Sequence, residues 1–515
     1  MKKIVSILLI ALSCLKMAAI EHSYTTESVL ADGHWVKIRV SESGVCRMSY
    51  SELRSAGIDP AAVKVFGYGG GQKTQDFSVR NIDDLPQVPV YRGEDYILFY
   101  VQGKISWSYD SNVGRYVHTR NTYSEYGYYF LTDSEIGSVT MPTAEAVSGT
   151  PNDISSYDDY QVHDYDSINL VDRSGESGGG KYFYGEQFAA NKQRVFRFST
   201  PNAIAGTNST VFIDVAGHTT VGSYFYGSVN DGTAKSTYIR AAPDHYSMAE
   251  TGTITLTGSV AEKTQQVALQ LQSSSSGALG WLNYIELTTP SQMRMTGSWM
   301  PLRSTANRGK ATPVRYHLSN AKEGMEVWDI TALDKIKRMP ARLNNGELTW
   351  VGSQADGVHE YVAVDPSGEN WVKAEVVGEV RNQNLHRLNN IDYVIICPEG
   401  YEAIATDLAK AHEEKQAITW AVVTDQEVYN EFSSGTPDAT AYRWLMKMLY
   451  DRGNRGIGEK PRWLLLMGHG TFDNRKLIAP VVANSGTNLL LTYQSNNSVN
   501  EVRAYATDDY FGWLD

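Results

Sequence analysis

In the stretch "GHWVKIRVSESG" (33–44), the apolar Val36, Ile38 and Val40 alternate with Lys37 and Arg39. That is the period of a strand with one face buried and the other in water. The alternation returns in "QQVALQLQ" at Val267, Leu269 and Leu271, and in "TITLTG" with threonines on the outer face. Runs such as "GYGGGQ" and "SSSSG" punctuate these segments. Short strands separated by Gly- and Ser-rich turns predict sandwich-like β domains, placed here at 22–150 and 151–290. A β-rich connecting domain at 291–380 contains "GMEVWDIT" and "HEYVAVD", and "GEVRNQNLHRLNN" marks the boundary after it.

After Asn390 the pattern changes. "IDYVIICP" is a continuous apolar run, as expected of a strand covered on both faces. Ile404, Ala405, Leu408, Ala411 and His412 follow at helical spacing, and "ITWAVVT" is a second buried strand. Thr436 is a predicted N-cap, with Pro437 in the first helical position and Asp438 at the positive end of the dipole. Ala441, Trp444, Leu445 and Met448 form the apolar face of that helix, and "RWLLLMG" is a third strand. The order strand, helix, strand, helix, strand predicts a parallel α/β sheet with right-handed crossovers over 390–515. Only three strands are clearly parallel. The fold class expected is therefore multidomain: N-terminal all-β, sandwich-like domains followed by an incomplete α/β subdomain.

A formal net charge of -12 with no basic run excludes a nucleic-acid partner, since phosphate binding needs clustered Lys and Arg. At the N-terminus, Lys2 and Lys3 precede an apolar run (4–15), and the small Ala18 and Ala19 follow. This is the form of a secretory signal peptide, placed at 1–19. The run is shorter than the roughly 20 residues a spanning helix needs. Export is expected, with any attachment to a membrane made through partners. Beyond that segment the cysteines are Cys46 and Cys397, too few and too far apart in sequence for a disulfide framework; both read as packed, small hydrophobic residues.

Candidate chemistry lies beyond the carboxyl ends of the parallel strands, where open α/β sheets place their sites. In "PRWLLLMGHGTFDNR" (461–475), His469 stands between Gly468 and Gly470, and Cys397 ends the first strand. A Cys397–His469 dyad is one reading. The other is a loop histidine beside a packed cysteine, because Pro398 follows Cys397 and no glycine-rich oxyanion loop accompanies it. His469, Asp473, Asp508 and Asp509 can also be read as a metal site, although their spacing matches no zinc pattern. The oxygen-rich pair Asp508 and Asp509 suits calcium or is simply solvated; no other cofactor is expected. "GYGGG" lacks the Lys and Ser or Thr of a phosphate loop and reads as a turn, while "YSEYGYYF" is either inter-strand packing or a ligand platform.

The segment "YVIICPEGYEAIATDLAKAHEEKQAITWAVVTDQEVYNEFSSGTPDATAYRWLMKMLYDRG", with "PRWLLLMGHGTFDNR" and "ATDDYFGWLD", resembles the front part of gingipain-type cysteine peptidase domains. "NEFSSGTPDATAYR" is its most specific element, and "SVLADGHWVKIRVSESGVCRMSYSELRSAGIDPAAVKVFGYGGG" and "VRNQNLH" extend the likeness upstream. The branch resembled is that of the C-terminal-signal peptidases and sortases of the type IX secretion system. Such domains have two caspase-like α/β halves, so the resemblance implies that 390–515 is the first of them. It also implies that His469 stands where relatives carry an aspartate, and that the catalytic Cys and His fall beyond Asp515. The implied substrates are C-terminal sorting domains of exported cargo. The implied partners are outer-membrane secretion components such as PorV, with an anionic lipopolysaccharide as acceptor and a place at the cell surface.

Overall fold

The computed structural model describes residues 22–135, 140–172, 178–484, 486 and 489–515; the signal segment expected at 1–19 lies outside them. The strand Trp35–Val40 is paired antiparallel on one side with Gly127–Thr132 and on the other with Glu375–Val380. Facing it, Gly44–Ser49 pairs with Tyr96–Val101. Between these layers Val36, Ile38, Val45, Cys46 and Phe99 share one core with Trp328, Val362, Val364 and Val372. The 22–150 and 291–380 stretches therefore share this core, while a second cluster around Met300, Tyr316, Trp350 and Tyr361 lies almost wholly within 291–380. Likewise Asn152–Ile154, at the start of the 151–290 stretch, pairs in parallel with Val314–Ser319. Turn chemistry marks where strands end, whereas strand pairing follows burial and can join segments hundreds of residues apart.

The 151–290 stretch carries a sandwich. Asn208–His218 lies between Glu250–Ser259 and Leu279–Gln292 in one sheet, and Thr264–Gln272 lies between Gln193–Ser199 and Ser223–Val229 in the other. Val267, Leu269 and Leu271 point into the shared core, as their alternation predicts. Alternation misleads at the first strand. Lys37, expected in water, is buried, because the C-terminal part of the chain covers that face.

In the α/β part, Tyr393–Cys397 is the central strand, with Trp420–Thr424 and Trp463–Leu466 parallel on either side. Among the described residues no further strand pairs with the free edge of Trp463–Leu466. The helix Glu402–Gln416 buries Ala405 and Ala409, with Leu408 packed beside them. Ile404, expected on that face, is exposed. The helix Asp425–Phe432 begins with a capping box in which Thr424 and Glu427 satisfy each other's backbone N–H groups. The helix Ala439–Asn454 starts later than predicted: its N-cap is Asp438, whose carboxylate accepts from the Thr440 N–H, and not Thr436. Thr436 is diverted because its hydroxyl donates to the Gly69 carbonyl, 3.1 Å away in the N-terminal β region.

Candidate functional site

The two β-to-α/β contacts that matter most are built from sequence motifs. Ser434 Oγ accepts from the Tyr68 and Gly69 N–H groups at 2.8 and 3.2 Å, and Asp438 accepts from the Lys73 N–H at 2.8 Å. The "GYGGG" turn is thus the piece that docks on "SSGTPD". Gly69 has φ +78° and its α-carbon faces the Gln102 carbonyl, so a side chain there would both strain the turn and strike backbone.

Beyond the carboxyl ends of the parallel strands lies a cavity of about 550 Å³ whose lining includes Glu399, Glu402, Thr424, Glu427, Lys37 and Val377. Lys37 Nζ donates to Asn430 Oδ1 at 2.9 Å and sits 4.7 Å from the centre of the Tyr128 ring. Burial pulls the Lys37 ammonium down to about 8, against the opposing charges of Asp425 and Glu399. Burial also pushes Asp425 up to about 6, helped by Glu399. The strand Glu375–Val380 forms the sheet edge here, with Val376 and Val377 exposed. Nothing in the sequence pattern singled out Lys37, since a lysine on a half-buried strand is ordinarily a solvated one.

The strand-end residues do not form a dyad. Cys397 is fully buried among Tyr393, Ile395, Ala405, Ala409 and Ile418, with its thiol 3.8 Å from the Val423 carbonyl. Burial and then the neighbouring Glu402, Asp425 and Glu427 push that thiol up to about 11, away from the thiolate a nucleophile needs. His469 is exposed, its Nδ1 3.3 Å from the Gly470 carbonyl. The glycine beside it does not open a path for substrate: the Gly470 α-carbon is packed against Thr492 of the same chain, and the Leu490 N–H donates to the His469 carbonyl at 2.9 Å. Cys46 is equally buried, its thiol pushed up by burial and the Glu52 charge. A charged maleimide is accordingly expected to label neither Cys46 nor Cys397 in the native protein and to label both after denaturation, as peptide mass mapping would read. Rapid labelling of native Cys397 would restore the nucleophile reading.

The metal reading of the C-terminal aspartates is not supported by the geometry. Asp473 is buried and accepts from the Leu477 and Ile478 N–H groups at 2.9 and 2.6 Å, so its oxygens close a turn. Asp508 and Asp509 are exposed at the start of a single 3-10 turn, Asp509–Gly512, without a side-chain cap. Neither belongs to a group of ligands close enough to share an ion; among the described residues that description fits Asp84, His386 and Glu431. This trio lies at the junction of the N-terminal loops with the helix Asp425–Phe432. Its hydrogen bonds leave little for an ion. His386 Nδ1 lies 2.6 Å from Glu431 Oε2 and its Nε2 3.1 Å from Asp83, while Asp84 accepts from Ser28 Oγ and the Val29 N–H, both at 2.8 Å. Burial by itself would lower the His386 pKa, but the hydrogen bonds to Asp83 and Glu431 outweigh it and raise the imidazole to about 9. An imidazolium clamped between carboxylates is an ion-pair network, and its charged ring is no metal ligand. "VRNQNLH" contains His386, yet no sequence signal links it to Asp84 and Glu431.

Against known proteins, residues 386–515 match the model of peptidase family C25. Among solved structures, the chain is similar to dimeric latent PorU from Porphyromonas gingivalis, with 30% identity and a TM-score of 0.83. That alignment covers 96% of this chain and 47% of the PorU chain, so this chain spans about half of it. A family 35 carbohydrate-binding module from Cellvibrio japonicus aligns with 10% identity over 25% of this chain and 92% of its own, at a TM-score of 0.18. Another module of family 35, from an environmental isolate, aligns with 14% identity over 27% of this chain and 98% of its own, at 0.19. Neither likeness carries an argument. No curated protein sequence matches the chain.

Proposed function

From a chain that is PorU-like and gingipain-type, with a peptidase family C25 segment at 386–515, we propose that this is the N-terminal part of a cysteine endopeptidase and sortase. In this reading the whole enzyme removes C-terminal sorting domains from type IX secretion cargo at the outer membrane and passes the cargo to an anionic lipopolysaccharide. Thiolate attack on the scissile carbonyl, proton transfer by a histidine and stabilisation of the oxyanion by backbone N–H groups are the chemistry of that class. The observation that carries the proposal is the similarity to PorU along 96% of this chain. The buried, protonated Cys397 and the exposed His469 are not its catalytic pair, so the thiolate and base are proposed to stand on sequence other than these residues. The β domains position cargo and partners such as PorV, and the α/β subdomain buttresses the reacting half.

The test is made in the native host. Deleting the coding region is expected to leave cargo with its sorting domains attached, as intact mass shows, and absent from the cell surface. Cys397→Ala and His469→Ala, restored at the chromosome, are expected to process cargo normally. Cargo that matures normally in the deletion strain defeats the proposal, and loss of processing in both point variants revives the dyad. A second reading, a non-catalytic assembly module, draws on the inertness of both buried thiols. It predicts cargo that is cleaved but not displayed. A third reading, a gingipain-like secreted protease, predicts degradation of unrelated proteins in the medium.

A further inference from the structure

A second cavity, of about 460 Å³, lies where the hairpin Ile105–Asp110 and Arg115–Arg120 meets the sandwich and the C-terminal segment. Its walls carry many charges, and most of them are already matched. His118 lies 2.7 Å from Glu286 and 3.1 Å from Asp164, while Asp166 is held by Arg475 at 2.5 Å and Arg120 at 3.1 Å. Two charges on the lining, Lys181 and Asp214, make no ion pair among the described residues. Lys181 is 5% exposed, and among the described residues its ammonium makes no side-chain hydrogen bond or ion pair, although the charge of Asp438 acts on it. It rests on the face of Tyr493, 4.7 Å from the ring centre. Asp214 accepts one hydrogen bond, from Asn283 Nδ2 at 3.0 Å, and meets no cation among the described residues. Burial draws Lys181 down to about 8 against the charge of Asp438, and it pushes Asp214 up to about 6 with the help of Glu286.

A lysine ammonium on a cavity wall without an ion pair is satisfied when an occupant of the cavity supplies the opposite charge. Lys181 and Asp214 cannot supply it to each other, since they do not approach within ion-pair distance across the cavity that both line. A free inorganic anion would meet Lys181 but also the acidic wall of Asp164, Asp166 and Asp214; a metal cation would meet the reverse problem at Lys181. The complement of such a field is a net-neutral molecule with separated charges. We propose that this cavity binds a small zwitterion, an α-amino acid or a dipeptide, with its carboxylate on Lys181 and its α-ammonium on Asp214. The Asn283 and Asn496 amides offer further hydrogen bonds, and Tyr182 and Tyr284 present ring surface to the ligand's side chain.

The test is calorimetric titration of the full chain with the twenty amino acids and their glycyl dipeptides, followed by capped forms of whichever binds. At least one zwitterion is expected to bind, and either N-acetylation or conversion of its carboxylate to the amide is expected to weaken binding tenfold or more. In Lys181→Met the free ligand and its amide are expected to bind equally; in Asp214→Asn the free ligand and its N-acetyl form are expected to do so. Free amino acid against dipeptide in the first titration decides the source. Because the capped ligands are tested on the unaltered protein, a variant that fails to fold does not blunt the test. The proposal is overturned if no zwitterion binds, or if the capped forms bind the unaltered protein as tightly as the free one.

Discussion

Replacing Glu431 by alanine is expected to destabilise the protein by about 3–5 kcal/mol, the range for breaking a buried ion pair from one side. Glu431 has no exposed surface, and it accepts from Gln383 Nε2 at 2.9 Å, the Leu385 N–H at 2.7 Å, the His386 N–H at 3.0 Å and His386 Nδ1. Its loss leaves two buried backbone donors and one side of an imidazolium unpaired, with the His386 ring still stacked on Phe432 at 4.7 Å. The same site gives a pH signature. The His386 pKa stands at about 9 in the folded chain against 6.5 for an ordinary imidazole. The contribution is therefore complete below pH 6.5 and lost as pH rises through about 9. Asp84, pushed up to about 6 by burial, acts in the same direction at lower pH: its neutral form favours folding, and that advantage fades as pH rises through 6. In Glu431→Gln, which keeps the volume and removes the charge, the fall in Tm should move toward lower pH. Thermal melts from pH 5 to 10, taken on both proteins, check this; identical profiles would show that Glu431 does not hold the proton on His386.

Trp444→Ala is the second large effect, expected at about 3–5 kcal/mol for an excised buried tryptophan. Trp444 lies on the helix Ala439–Asn454 yet packs edge-on against rings from the far end of the chain, His22 at 4.9 Å and Phe77 at 4.8 Å. Its indole N–H donates to the Thr74 carbonyl at 3.1 Å. The side chain therefore joins the N-terminal loops to the α/β core, and the cavity left behind opens at that seam. Urea unfolding of the unaltered protein is expected to show the 22–150 and 390–515 stretches unfolding together, and Trp444→Ala is expected to separate them into two transitions. Tryptophan fluorescence beside far-ultraviolet dichroism would show the separation. A single shifted transition would mean that the "GYGGG" and "SSGTPD" contacts suffice to couple the two parts.

The apolar patterning of this chain is local chemistry, and locally it determined a good deal. Period-two alternation at Val267, Leu269 and Leu271 specified a sandwich strand, and the unbroken run at Tyr393–Cys397 specified a strand buried on both faces. Three such runs separated by helical patterns were enough for a parallel sheet, and the order of residues around "NEFSSGTPDATAYR" was enough for the family of the C-terminal segment. Whether a polar residue meets water or another part of the chain is not a local property. Lys37 sits on the polar side of an alternating strand and is buried because the Asn430 helix covers it. Thr436 has the chemistry of an N-cap, and Gly69 takes its hydroxyl. His469 looks like a base between glycines, but the chain fills the space beside Gly470 with its own Thr492. Asp84, His386 and Glu431, like Lys181 and Asp214, come from distant segments that only the folded chain brings together. Periodicity encodes which side of an element is apolar; what faces its other side depends on long-range packing, and that alone sets the burial and partners of each charge.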